Sequence, residues 1–311
     1  MRIHVQRAGL LTSVQDGGRW GCQALGVPPA GPMDGWSHRL ANLLAGNESA
    51  AATLEITGTG PDLILDGSGL LAIAGAEFEG ALDGRRWTTP AVLEPRGGSR
   101  LVFGKRVRGL RAYLAVRGGF DVPPVLGSRA TDLRSGLGGV QGRAVRDGDT
   151  LETRHDGHVR PRPPVSTPPQ PMLPGANRCR LRVLRGPGEP GVTAEAFRVL
   201  TRDAFAVSQQ SDRMGYRMAG ALVPVRAAPR LSGPVVTGAI QVPPSGDPLL
   251  LMVERQTTGG YPIVAVVIGA DLPLAGQLGP GDEVTFEPCG QEAALAALIA
   301  REQPLLALET S

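Results

Sequence analysis

Lysine is almost missing from this chain. Only Lys105 is a lysine, so 31 of the 32 basic residues are arginine. A Walker-type phosphate loop needs Gly-Lys-[Ser/Thr], a Schiff-base enzyme needs a desolvated lysine, and a biotin carrier needs an acceptor lysine. Lys105 lies in FGKRVRG, which suits none of these. Cysteine is equally sparse: Cys22, Cys179 and Cys289 are odd in number and far apart, which argues against a disulfide framework and for a reducing compartment. Aromatic residues make up 4% of the chain and interleave with no basic block, so the net charge of +3 marks no nucleic-acid surface. Long hydrophobic runs are missing too. The longest, IVAVVIGA, is too short for a bilayer, and MRIHVQRAGLL lacks the stretch a signal peptide requires. The expectation is a cytoplasmic protein that engages neither membrane nor nucleic acid.

Glycine and proline are plentiful, at 44 and 28 of 311 residues, and are spread along the whole chain. Many turns joining short strands use residues in this way. Hydrophobic residues at 41% and charged residues at 20% suit a globular chain, and the length allows two domains. A proline-rich stretch, residues 156–178, reads as an extended linker between a first domain (1–155) and a second (179–311). Runs such as RIHVQ, TLEIT, DLILD, LLAIAG and AYLAV in the first, and RLRVLRG, LLLMVE, IVAVVIGA and EVTFE in the second, predict strands. Helices are few: one capped by Asp34 and stopped by Gly46, one after Thr193, and one closing the chain in GQEAALAALIARE. The fold class is mainly β with a few helices, in two barrel-like domains.

Three polar segments carry candidate chemistry. Gln15, Asp16 and Arg19 in SVQDGGRWGC align with Gln209, Gln210 and Arg213 in SQQSDRMGYR, where Asp212 precedes the arginine, and GVPPAGPMD is echoed by QVPPSGDPL. An amide, a carboxylate and a guanidinium together can hold a small planar amide or carboxylate. The competing reading is that Asp16 and Arg19 pair to pin their loop, and that the second segment is a turn closed by local hydrogen bonds. In VERQTTGGYP, a strand is followed by Glu254, Arg255, Gln256, Thr257 and Thr258. Alternation would place Glu254, Gln256 and Thr258 on one face and Arg255 and Thr257 on the other. SGLGGVQGR, Ser135 to Arg143, misses both dinucleotide and Walker spacings and reads as a turn cluster. His155 and His158 have a metal-like separation without further ligands nearby, so no metal site is expected.

Over Gly9 to Val284 the chain resembles the biotin-dependent carboxyltransferase family. That family includes the C subunit of 5-oxoprolinase, KipA-type proteins, allophanate hydrolase subunit 2 and the carboxyltransferase part of urea carboxylase. The resemblance rests on GLLTSVQDGGRWGCQALGVPPAGPMD, RAYLAVRGGFDVPPVLGSRATDLRSGLGGVQGRAVRDGD, SDRMGYRMAG and GAIQVPPSGDPLLLMVERQTTGGYP. It implies two cyclophilin-like β-barrel subdomains and, as partner, a KipI-type B subunit, which an A subunit joins in the bacterial 5-oxoprolinase. It also implies ATP used by the assembly, carboxybiotin from a separate carrier in the urea enzymes, and a small amide or urea as substrate. On this reading Asp16, Arg19, Asp212, Arg213, Glu254 and Arg255 are the catalytic candidates. Gln15, Gln241, Gln256, Thr257 and Thr258 would bind substrate. KipA-type members also imply a different role, a regulatory protein that counters a KipI-type kinase inhibitor without chemistry of its own. Two residues depart from the family pattern: Glu254 stands where Asp is common, and Cys22 where Tyr is common.

Overall fold

The computed structural model describes residues 1–154, 168–175, 178–188, 191–226 and 231–310. Most of the predicted linker and both His155 and His158 lie outside the described residues. The chain forms two compact units. One comprises Met1–Trp20, Ala30–Leu173 and Gln303–Ser311; the other comprises Gly21–Pro29 and Pro174–Glu302. Among the described residues no helix is long and apolar enough to cross a membrane.

In the first unit a six-stranded and a five-stranded sheet share one core. The six-stranded sheet runs Thr150–Glu152, Arg2–Arg7, Asp62–Asp66, Ser99–Val102, Gly80–Leu82, Arg85–Trp87. The five-stranded sheet runs Leu11–Gln15, Thr53–Thr57, Arg106–Val116, Leu71–Phe78, Ala91–Leu93. Period-two alternation explains how its central strands serve two layers. Leu71, Ile73, Ala112 and Leu114 enter the core between the sheets. Their neighbours Ala72, Ala74, Tyr113 and Ala115 face the other way and receive helix α1, Gly35–Ala45, through Trp36, Leu40 and Leu44. Three alanines under the helix leave room for close approach. Asp34 caps α1 by accepting from the Ser37 amide at 2.9 Å, and Gly46 ends it in the left-handed conformation, as the sequence predicts.

The second unit is a closed seven-stranded barrel, the architecture the family resemblance implies. Its order is Arg178–Arg185, Ile263–Val267, Ala239–Gln241, Leu249–Leu251, Gly215–Gly220, Ala204–Val207, Glu283–Pro288. Closure comes from the parallel pairing of Arg178–Arg185 with Glu283–Pro288, and it leaves no free edge in that sheet. Helix α2, Ala194–Arg202, is capped by Thr193, whose hydroxyl accepts from the Ala196 amide at 3.1 Å. A short α3, Leu272–Ala275, follows the strand Ile263–Val267 and was not legible in the sequence. Helix α4, Gln291–Thr310, closes the described chain; from Gln303 on its residues belong to the first unit, in whose core Leu305 packs beneath α1.

Candidate functional site

The polar run of the second unit does not continue its strand. Strand Leu249–Leu251 stops, and the Arg255 amide turns back to donate to the Met252 carbonyl at 3.2 Å. The alternation expected for residues 254–258 is therefore corrected: a turn sends consecutive Glu254 and Arg255 both inward, at 4% and 3% exposure, while Gln256 and Thr258 are exposed. Glu254 Oε1 accepts from Arg213 Nε at 2.5 Å, and the Glu254 amide donates to the Arg213 carbonyl at 3.0 Å. Two segments 41 residues apart are thus tied by side chain and backbone together.

Arg255 meets only neutral acceptors among the described residues. Its Nε donates to the Val235 carbonyl at 3.2 Å and its Nη1 to Thr237 Oγ1 at 2.7 Å. Burial holds its pKa below the ordinary guanidinium value, yet an arginine this far from neutral pH stays charged. A buried cation with neutral partners therefore immediately precedes Gln256 in the chain. Gln256 Nε2 donates to Gln241 Oε1 at 3.3 Å, and Gln241 Nε2 donates to the Tyr261 carbonyl at 3.0 Å. Each amide fixes the orientation of the next, and the exposed Gln256 keeps its own Oε1 for a ligand. Thr257 accepts the Val235 amide through its carbonyl, and Thr258 begins a two-stranded ribbon with Gly233–Pro234.

Asp212 is no part of this arrangement. It is exposed, and its Oδ1 accepts from the amides of Met214 at 2.8 Å and Gly215 at 3.3 Å, closing the hairpin turn between Ala204–Val207 and Gly215–Gly220. Gln209 is exposed in the same turn.

In the first unit Gln15, Asp16 and Arg19 all grip one distant segment. Gln15 Nε2 donates to the Thr131 carbonyl at 3.1 Å, and Arg19 Nη2 donates to the Ala130 carbonyl at 2.8 Å. Asp16 accepts from Ser128 Oγ and the Arg129 amide, each at 2.5 Å. Arg19 also donates through Nε to the Val125 carbonyl at 2.9 Å and forms no ion pair among the described residues. The Asp16–Arg19 pair of the competing reading does not form, because the acid accepts from Ser128 and Arg129 while the base donates to the Val125 and Ala130 carbonyls; the loop is pinned nonetheless. Gln15 is a buried strand end and Gln209 an exposed turn residue, so the letters repeat while the geometry does not. The turn reading of Ser135–Arg143 holds: Gly139 donates to the Arg129 carbonyl and Gly142 to the Gly138 carbonyl. These glycines line a cavity of about 550 Å³ with Val125 and Leu151.

One buried network escaped the sequence reading. Thr53 and Glu55 alternate with Leu54 and Ile56, so they point toward α1 and away from the core. Tyr113 donates its hydroxyl proton to Glu55 Oε2 at 2.7 Å and accepts the Asp34 amide at 2.7 Å. Burial, with the charges of Glu55 and Asp34 nearby, pushes the Tyr113 phenol well above its usual range. His38 and Asn42, one turn apart on α1, complete the network, and their i, i+4 spacing was the available signal.

Residues 25–288 match the carboxyltransferase domain, subdomains A and B. The chain belongs to this family. As a carboxyltransferase domain it is 38% identical to the C subunit of the Escherichia coli 5-oxoprolinase, over 95% of this chain and 94% of that one. It is 34% identical to the urea amidolyase of Saccharomyces cerevisiae, over 93% of this chain but only 17% of that longer polypeptide. The crystal structure of the K. lactis urea amidolyase superposes with a TM-score of 0.90 at 31% identity, covering 99% of this chain and 20% of the other. Among the described residues of this carboxyltransferase domain, no group of three or more His, Cys, Asp and Glu could hold a metal ion.

Gly259 tests how tightly the amide chain of this carboxyltransferase domain is held. A Cβ there would lie 2.7 Å from Gln241 Nε2, and the backbone conformation itself accepts alanine. Gly259→Ala is expected to push the Gln241 amide off its rotamer, at about 1 kcal/mol, and to break its bond to Gln256. Thermal unfolding should shift by only a few degrees, which scanning calorimetry would measure.

Proposed function

We propose that this chain is the carboxyltransferase-type member of an ATP-dependent assembly that opens 5-oxo-L-proline to L-glutamate, working with a KipI-type B subunit together with an A subunit. Carboxyl transfer to a urea-like amide is the related activity of the same site. The observation that carries the reading is Arg255, a buried cation with neutral partners, followed in the chain by Gln256, whose amide donates to Gln241. Near end-to-end similarity to a protein named as the C subunit of 5-oxoprolinase supports this choice of substrate.

Chemistry at an amide carbonyl needs the planar group held rigidly and the charge growing on its oxygen stabilised. Arg255 supplies that charge, and its Nη2 has no partner among the described residues. Gln256 orients the amide, with Gln241 fixing Gln256, and the hydroxyls of Thr257 and Thr258 complete the rim. Glu254 and Arg213 act as positioning residues by locking the turn that presents Arg255. Gln15, Asp16 and Arg19 hold the loop after strand Leu11–Gln15 in the first unit, and Asp212 holds the hairpin of Arg213. Where carboxybiotin is the donor, its planar ureido group and carboxylate suit Arg255 and Gln256, which would hold it while it supplies the carboxyl. Among the described residues nothing makes a recognisable ATP cradle: Lys105 is the sole lysine of the chain, and Gly139 and Gly142 already donate their amides to the Arg129 and Gly138 carbonyls. The nucleotide is assigned to the partner proteins of the assembly.

The assay is ATP-dependent release of glutamate from 5-oxo-L-proline by the protein co-purified with its A-type and B-type partners. Gln256→Ala, at an exposed position, should lower kcat/KM about tenfold, and Arg255→Gln about 100-fold, with native circular dichroism. Turnover by this chain alone would refute the partner requirement. Tight association with the KipI-type partner but no turnover under any of these conditions would replace the enzyme with the regulatory role.

A further inference from the structure

A smaller cleft opens on the barrel of the second unit, and Arg255, Gln241 and Gln256 are not among the residues that line it. Its cavity of about 210 Å³ is lined by Ser208, Gln210, Arg217, Ser245 and Asp247, with Leu249 among the apolar walls. Two sequence motifs meet here, SQQSDRMGYR and QVPPSGDPL, through residues other than those the sequence reading favoured.

Both segments are pinned. The Arg217 amide donates to Ser211 Oγ at 3.1 Å and its carbonyl accepts from the Ser208 amide at 2.9 Å. Gly246, beside Asp247, donates to the Pro243 carbonyl and accepts from the Val223 amide, each at 2.9 Å. The Arg217 and Asp247 side chains therefore start from, or next to, hydrogen-bonded backbone. They line one cleft, carry opposite charge, and form no ion pair with each other or with any other described residue. A cation and an anion that share a cleft without closing on one another are the complement of a molecule carrying both charges. Hydroxyls of Ser208 and Ser245 and the Gln210 amide add donors and acceptors. The volume falls below the range of about 300–1,000 Å³ usual for larger ligands, which limits the occupant to amino-acid size.

We infer that this cleft binds a small zwitterion of the α-amino acid class, its carboxylate on Arg217 and its ammonium on Asp247. The inference does not rest on the proposed function, because it needs neither partner proteins nor ATP. Calorimetric titration of the full chain with glycine and L-glutamate should show saturable binding. N-acetylglycine and 5-oxo-L-proline, which keep the carboxylate but have an acylated nitrogen, should bind this cleft at least about tenfold more weakly. Arg217→Gln and Asp247→Asn, both at exposed positions, should each weaken glycine binding by about the same factor and leave the melting temperature unchanged. The inference is overturned if no saturable binding appears up to roughly 10 mM, if either variant binds glycine like the unaltered chain, or if N-acetylglycine binds as well as glycine. Loss of glycine binding in Arg217→Gln alone would mark an anion site and would overturn the zwitterion assignment.

Discussion

Glu254→Ala is expected to destabilise the second unit by about 3–5 kcal/mol, the usual cost of stranding one member of a buried ion pair. Arg213 Nε and Glu254 Oε1 are 2.5 Å apart, and the two side chains are 3% and 4% exposed. The guanidinium cannot shed its proton, so losing the carboxylate takes a charged partner from a buried cation. The damage should be local before it is global. Amides of Met252 and Glu254, which donate to the carbonyls of Met214 and Arg213, would lose hydrogen-exchange protection first. A double variant separates charge from packing. Arg213→Met with Glu254→Leu removes both charges and keeps the volume apolar, and such replacements are often neutral. It should recover most of the stability and, with it, the exchange protection of the Met252 and Glu254 amides. Urea unfolding of the single variant within about 1 kcal/mol of the parent would show that the pair does not hold the turn.

The contrast between residues 212 and 213 shows what the sequence could and could not disclose. Caps are local chemistry, so Asp34, Gly46 and Thr193 mark their helices from the letters alone. The strands are likewise written in short apolar runs bounded by turn residues. Asp212 and Arg213 are adjacent and equally polar, yet one closes an exposed turn and the other is buried against a glutamate 41 residues away. Nothing in the local pattern distinguishes them, because the distinction is made by the distant partner. The same holds for Asp16, whose ligand Ser128 lies 112 residues on, and for Tyr113, 58 residues from Glu55. Gln256 and Gln241 were legible as polar residues at strand ends, but their bond depends on the turn that ended the expected alternation. Similarity to the carboxyltransferase family supplied what spacing could not, because a family pattern encodes long-range contacts.

Acid is expected to destabilise the first unit through His38 by about 3 kcal/mol between pH 6.5 and pH 4. The ring is fully buried, and burial lowers its pKa from 6.5 to about 4, outweighing the opposing charges of Asp16 and Glu55. Its hydrogen bonds explain why a proton finds no place. Thr53 gives its single hydroxyl proton to the Gln15 carbonyl at 3.3 Å, so it must accept from His38 Nδ1 at 3.0 Å. Nε2 is then bare and faces the Asn42 amide nitrogen at 3.4 Å. That amide is locked: its Nδ2 also donates to the Ala51 carbonyl at 2.8 Å, and its Oδ1 accepts from Asn47 at 3.1 Å. A protonated Nε2 would point one donor at another. Because the folded pKa lies below the unfolded one, the unfolded chain takes up the extra proton between them. Stability is therefore complete above about pH 7, falls by about 1.4 kcal/mol per pH unit below 6.5, and levels off below about 4. Between pH 7 and pH 5 the parent should lose about 2 kcal/mol more than His38→Gln, since glutamine can donate and accept but does not titrate across this range. Urea midpoints of both proteins at the two pH values measure that difference. Equal losses in the two proteins, or an NMR titration placing His38 above pH 6, would mean that the imidazole is not the neutral link between α1 and the strand that carries Thr53.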